Sequence, residues 1–196
     1  MYYVIFTGTG QEERAEELIK KLVPGDLFTR CFHPVRHMKK KIRGQWVEKY
    51  ERLIPGYVFV ESEDIRAFYH AVRELPAFLR LLGKEQILSN ENGGEVLEEH
   101  FYPLPSPEEK WLRKIAVLNT GASMRKETPR PIVPLTKVWF NEEGEIEILE
   151  GPLKDIPVAI KKKDIHNRYI EVETPLFGRT VKVRFGVELV EGEQQK

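Results

Sequence analysis

Leu53-Ile54-Pro55-Gly56-Tyr57-Val58-Phe59-Val60 sets a Pro-Gly turn directly ahead of a β-branched and aromatic run, the strongest central-strand signal in the chain. Working backwards, Tyr2 to Phe6 reads as a second strand, and Thr9-Gly10-Gln11-Glu12 has the form of a capping box that opens a helix. Ala15, Leu18, Ile19 and Leu22 fall on one face of that helix, and Pro24-Gly25 ends it. Leu27 to Val35 and Trp46 to Ile54 read as strand-rich segments joined by a basic loop around Arg43-Gly44. Working forwards, Asp64 caps a second helix with Ile65, Phe68, Val72 and Leu75 inward, and Phe78 to Leu82 returns to strand or turn. Ser106-Pro107 opens a third helix.

The pattern lapses from Asn119 to Thr136, where Gly121, Pro129, Pro131 and Pro134 interrupt every period. Five short alternating segments follow: Lys137 to Phe140, Ile146 to Leu149, Val158 to Lys162, Tyr169 to Glu173 and Val181 to Phe185. They suit a small barrel. The expected fold class is therefore α+β, with an amino-terminal α/β sandwich (an antiparallel sheet with flanking helices) and a carboxy-terminal small SH3-like β-barrel. The expected domains are 1–118 and 137–196, with 119–136 as linker.

Over 196 residues, 31 basic and 31 acidic side chains cancel, but the charge is segregated. Arg30 to Arg52 carries eight basic residues against two acidic, Glu85 to Glu109 carries seven Glu and no Lys or Arg, and Lys154 to Arg184 carries eight basic against four acidic. Two positive regions flanking a negative one imply two polyanion contacts. The lone Cys31 forms no internal disulfide and is expected to be buried. His33 and His37 lack a third metal ligand at suitable spacing. Gly8-Thr9-Gly10 resembles the start of a dinucleotide loop, but Glu13 stands where that loop needs a small residue facing the pyrophosphate. No nucleophile and base stand at a recognisable spacing, so the expectation is a non-enzyme with no cofactor and no metal. No run reaches the roughly 20 apolar residues of a membrane span, and Met1-Tyr2-Tyr3-Val4 leads straight into a strand, which points to the cytoplasm and no membrane partner.

Residues 53–60 resemble the Phe-Pro-Gly-Tyr-Val core of the NusG amino-terminal domain, and Tyr3 to Glu12 is similar to that domain's opening. Gly151-Pro152-Leu153-Lys154-Asp155, Ile160-Lys161-Lys162-Lys163, Phe177-Gly178-Arg179 and Val187-Glu188-Leu189 look like a KOW motif on an SH3-like barrel. Within the family, the long link and the stretch from Lys162 to Arg168 look more like the specialised antiterminator LoaP than the housekeeping member.

The resemblance implies a monomer whose first domain sits on the clamp helices of the largest RNA polymerase subunit, through Ile54 and Tyr57, with Phe6 and Phe78 added for their aromatic character. Arg36, Lys39, Lys40, Lys41 and Arg43, taken as a loop or hairpin tip, are candidates for non-template DNA phosphates. Lys161, Lys162, Lys163, His166, Arg168, Arg179, Lys182 and Arg184 are candidates for RNA, such as a leader hairpin, with Tyr169 and Phe177 as the available aromatics. The alternative for the barrel is an adaptor that binds a ribosomal protein or the termination factor Rho. A third reading is a ribosome-associated KOW protein.

Overall fold

The computed structural model describes residues 1–76, 79–89, 95–117, 131–140, 145–154 and 159–190. Phe78, Val158 and residues 119–130 of the expected linker lie outside them. The fold is mixed α+β, and the chain packs as two compact units, residues 1–33 with 55–109 and residues 34–54 with 110–196.

In the first unit, strand β1 (Tyr2–Phe6), helix α1 (Glu12–Leu22) and strand β2 (Arg30–Phe32) precede position 34. The second unit then takes up strands β3 (Val35–Ile42) and β4 (Gln45–Arg52), and β5 (Tyr57–Glu61) resumes the first. Helix α2 (Ile65–Arg73), β6 (Arg80–Leu81) and a separate hairpin of β7 (Gly83–Ser89) and β8 (Glu95–Phe101) follow. The main sheet runs β2-β5-β1-β6, with β1 antiparallel to β5 from Tyr2↔Glu61 to Phe6↔Tyr57. Being central, β5 is apolar on both faces: Val58, Phe59 and Val60 are fully buried. On one face Tyr3, Ile5, Val58 and Val60 pack with Ala15 and Ile19 of α1 and Phe68 and Val72 of α2. On the other, Tyr2, Phe32 and Phe59 form an aromatic cluster with ring centroids about 6 Å apart. Asp64 caps α2 as expected, its carboxylate accepting the Ala67 N–H at 3.0 Å, and Cys31 is buried, which pushes its thiol pKa well up.

Two expectations for α1 fail. Thr9 does not cap the helix; Gln11 takes the N-cap position and makes no side-chain bond. Leu22 is exposed, and the buried polar face instead holds Glu12 and Glu16. Glu16 accepts hydrogen bonds from the His33 backbone N–H at 3.3 Å, contacts His33 Nδ1 at 2.7 Å, and is paired with Lys20. A buried carboxylate is tolerable only with such partners.

In the second unit, β3 and β4 form a hairpin closed by the two residues Arg43 and Gly44, both at positive φ, as a tight hairpin turn requires. The basic run is therefore strand, not loop: Arg36, Lys39, Lys40 and Lys41 lie on β3, and only Arg43 sits at the tip. Helix α3 (Ser106–Val117) crosses from the first unit into the second, and β9 (Ile132–Val133) pairs parallel to the start of β3. Those two residues, expected in the linker, are thus part of a sheet. Strands β10 (Thr136–Phe140), β11 (Ile146–Glu150), β12 (Ala159–Asp164), β13 (Tyr169–Leu176) and β14 (Arg179–Leu189) make a curled five-stranded sheet in the order β11-β10-β14-β13-β12. Its core is Val138, Ile170, Val172, Leu176, Val183, Phe185 and Val187. At β14 the backbone of Gly186 approaches β3 so closely that a Cβ would lie 2.2 Å from the His37 carbonyl oxygen. Only glycine fits there.

Burial alone would raise the Glu16 pKa, but its bonds to His33 and Lys20 outweigh burial and hold it below the usual 4.5. A lowered folded-state pKa stabilises the fold above the unfolded value and loses that contribution as pH falls through the folded one. Urea unfolding should therefore show a Glu16→Gln variant less stable than the wild type at pH 7, with the gap closing below pH 4.5; a gap constant with pH would show that the ionised carboxylate is not what stabilises.

Candidate functional site

Two surfaces collect the residues with chemistry to offer. The first is the corner where β1 ends and β5 begins. Phe6 and Tyr57 face each other across the register, with ring centroids 5.6 Å apart and planes tilted by 60°. Phe6 is 40% exposed and Tyr57 half-buried, an aromatic pair left at the surface next to a tight turn. That turn is held from below. Gly56, at φ +90, donates its N–H to Glu12 Oε1 at 2.6 Å and accepts the Thr7 N–H at 2.9 Å. The other Glu12 oxygen accepts the Gly10 N–H at 2.9 Å. Glu12 is fully buried and ties the loop after β1 to the Pro-Gly turn before β5, so the two aromatic side chains emerge from a fixed backbone. Ile54 is 3% exposed, and the surface of this corner is made by Phe6 and Tyr57.

The second surface belongs to the hairpin and the barrel-like sheet. On the hairpin, Arg36 and Lys40 both reach Glu51, Arg36 at 3.0 Å, and Lys39 pairs with Glu188. Burial works against the Glu51 charge, yet the Lys40 and Arg36 hydrogen bonds keep its pKa low. Lys41 and Arg43 are exposed and without a carboxylate partner among the described residues. On the sheet, Lys161 pairs with Glu173 at 3.2 Å, Lys162 with Asp164 at 3.3 Å and Arg184 with Glu171 at 2.8 Å. Lys182 stands across the ladder from Glu173. Lys163, His166, Arg179 and Lys182 are exposed. Tyr169 is buried beneath Lys162 and Arg184, whose charged groups lie 5.5 and 4.8 Å from its ring centroid, and Phe177 is half-buried in a turn at positive φ. Neither ring is an open stacking platform.

The turn between β12 and β13 is held by hydrogen bonds. Asp164 accepts both the backbone and side-chain N–H groups of Asn167, which hold its carboxyl at a pKa of about 2. The Arg168 carbonyl accepts the Val187 N–H at 2.9 Å. Arg168, at φ +55, is thereby aimed at Trp46 on β4, its guanidinium 4.9 Å from the ring centroid.

Sequence reasoning missed Glu12, Trp46 and the acidic partners on β13. Trp46 left the one usable trace, an aromatic within a basic stretch; the Glu12 contact to Gly56 spans 44 residues and left none. Among the described residues, no group of His, Cys, Asp and Glu could hold a metal, and no helix is long and apolar enough to cross a membrane.

Residues 1–95, which contain β1, the Pro-Gly turn and the aromatic corner, match the family model described as transcription termination factor nusG. These residues are similar to the NusG family. The transcription termination/antitermination protein NusG of Helicobacter pylori is 23% identical over 200 residues, covering 97% of each chain. That of Escherichia coli is 22% identical over 194 residues, covering 97% of this chain and 94% of its own. Among solved structures, "Domain interaction in Thermotoga maritima NusG" aligns with a TM-score of 0.47 and 24% identity over 95% of this chain and 93% of that one.

Replacing Glu12 by Ala strands the buried Gly56 N–H, which costs roughly 1–3 kcal/mol. Chemical denaturation should register that loss, with Glu12→Gln intermediate because its amide oxygen still accepts one bond; an unchanged midpoint for Glu12→Ala would remove the carboxylate from the account of the turn.

Proposed function

We propose that this chain is a non-enzymatic NusG-family transcription termination/antitermination factor. Its aromatic corner docks on the clamp helices of the largest RNA polymerase subunit, and its barrel-like sheet binds RNA. The observation that carries the reading is the surface pair of exposed Phe6 and half-buried Tyr57 on a turn fixed by Glu12. Aromatic side chains on a rigid backbone recognise apolar helix surface at low entropic cost. In this reading Phe6 and Tyr57 make the contact, and Ile54 packs within the protein. The sequence division into 1–118, 119–136 and 137–196 belongs to the same proposal, as does the LoaP-type assignment drawn from Lys162 to Arg168. Non-template DNA is the partner proposed for the exposed cations of the hairpin.

One observation favours the second reading, an adaptor whose sheet binds a ribosomal protein or Rho. Lys161, Lys162 and Arg184 are each paired with a carboxylate, which lowers the positive charge offered to RNA. Against it stand Lys163, Lys182 and Arg168, which carry no such partner among the described residues.

The purified chain should co-elute with core RNA polymerase and shift the yield of full-length transcript in a single-round assay. The Phe6→Ala/Tyr57→Ala double variant should lose both by about ten-fold or more, as expected for interface anchors. Retained binding by that variant would place the polymerase contact elsewhere. In a gel shift, RNA binding that weakens steeply with salt supports the RNA reading; salt-insensitive capture of ribosomal protein or Rho supports the adaptor.

A further inference from the structure

The sequence suggests two separate polyanion sites, one on the hairpin and one on the barrel-like sheet. Packing puts both in one compact unit. Strand β3 lies against β14: Arg36 donates to the Arg184 carbonyl at 3.2 Å, Lys39 pairs with Glu188, and Gly186 admits the His37 carbonyl. The hairpin tip and the β12–β13 turn therefore meet, and where they meet Arg168 lies over Trp46.

We infer that this junction binds one unpaired polynucleotide strand, with Trp46 as the base-stacking platform and Lys41, Arg43 and Arg168 as its phosphate contacts. This deepens the RNA reading proposed above and rests on it.

Three observations carry the inference. Trp46 remains 42% exposed with Arg168 over its ring, so aromatic surface is left for another planar group, and a base stacked on it would sit in line with a cation. Arg168 is held in the left-handed region, costly for a residue with a side chain, by the bonds of the Asp164–Asn167 turn and the Val187 N–H. Its position is set by the fold before any ligand arrives. Lys41 stands directly across the ladder from Trp46, and Arg43 at the turn beyond, so charge without a carboxylate partner among the described residues frames the ring on the hairpin side.

A groove of about 280 Å³ runs beside the ring, lined by Lys39, Trp46, Glu48, Arg168, Glu188 and Leu189. Of its two carboxylates, Glu188 is paired with Lys39, and Glu48 lies 3.5 Å from His37 Nε2. Such a site selects an unpaired strand over a duplex, because paired bases present no free face to the indole. The transcript and the displaced DNA strand are the two sources of this chemistry.

The test uses the full chain and fluorescence anisotropy with a labelled unpaired RNA of about 12 nucleotides, the DNA strand of the same sequence and the RNA duplex. The expected result is strand binding stronger than duplex binding. Trp46→Ala should weaken it about ten-fold with little change in salt dependence, while Trp46→Phe stays near wild type. Lys41→Ala should reduce the salt slope by about 0.7, the share of one phosphate on a single strand. RNA and DNA strands should displace one another, and the tighter of the two names the source. Circular dichroism confirms that each variant is folded. Unaltered strand binding by folded Trp46→Ala, a preference for duplex, or simultaneous binding of RNA and DNA strands overturns the inference while leaving RNA binding intact. Absence of any RNA binding by the wild type overturns the RNA reading itself.

Discussion

The antiparallel register of β1 with β5 is the constraint on which the rest of the first unit depends. It brings residues more than 50 positions apart into direct pairing, Tyr2 to Glu61 and Phe6 to Tyr57. Closing a loop of that length is entropically costly, and fully buried side chains on both faces of β5 offset the cost. At the end of this ladder Glu12 does what no strand bond can, since Gly56 lies outside the regular pairing and its N–H would otherwise be buried without a partner. The register and the carboxylate together decide that Phe6 and Tyr57 emerge side by side.

The excursion from residue 34 to residue 54 obeys a different constraint. It is a hairpin with a tight turn, so local chemistry is enough to form it. Its packing partner is chosen at long range, by β9 along one edge of β3 and by the glycine at position 186. A segment embedded in the amino-terminal half of the sequence thus packs with the carboxy-terminal half. Electrostatics follow from that placement. Arg36, Lys39 and Lys40, a bare cationic run in the sequence, meet Glu51 and Glu188, and the net positive character moves outward to Lys41 and Arg43. A polyanion would meet the tip of the hairpin before its base.

Much of the fold was legible in residue order. The Tyr2–Phe6 and Tyr57–Glu61 strands, the Asp64 cap and the five carboxy-terminal strands read from alternation, capping chemistry and turn residues, all local signals. The amino-terminal end of α1 was misread because Thr9-x-x-Glu12 satisfies the capping-box spacing, while the Glu12 carboxylate is claimed by a backbone group far along the chain. Leu22 shares a helical face with the buried Ala15 and Ile19 yet is exposed, because periodicity cannot tell the last turn of a helix that reaches solvent from one that stays buried. The candidate site was less legible than the fold. Cations are visible in a sequence, but the carboxylates that neutralise them across a ladder are not.

By itself, the sequence determined the element types, the aromatic character beside the Pro-Gly turn, the segregation of charge and the resemblance to the NusG family. These depend on neighbours within a few residues or on a string of side chains in order. Tertiary structure alone decided which cations pair with a carboxylate, that Tyr169 is covered while Trp46 is 42% exposed, that Glu12 fixes Gly56, and that the hairpin packs with the carboxy-terminal sheet. Each of these rests on contacts between residues far apart in the chain, whose partners are selected by burial and close packing rather than by sequence spacing.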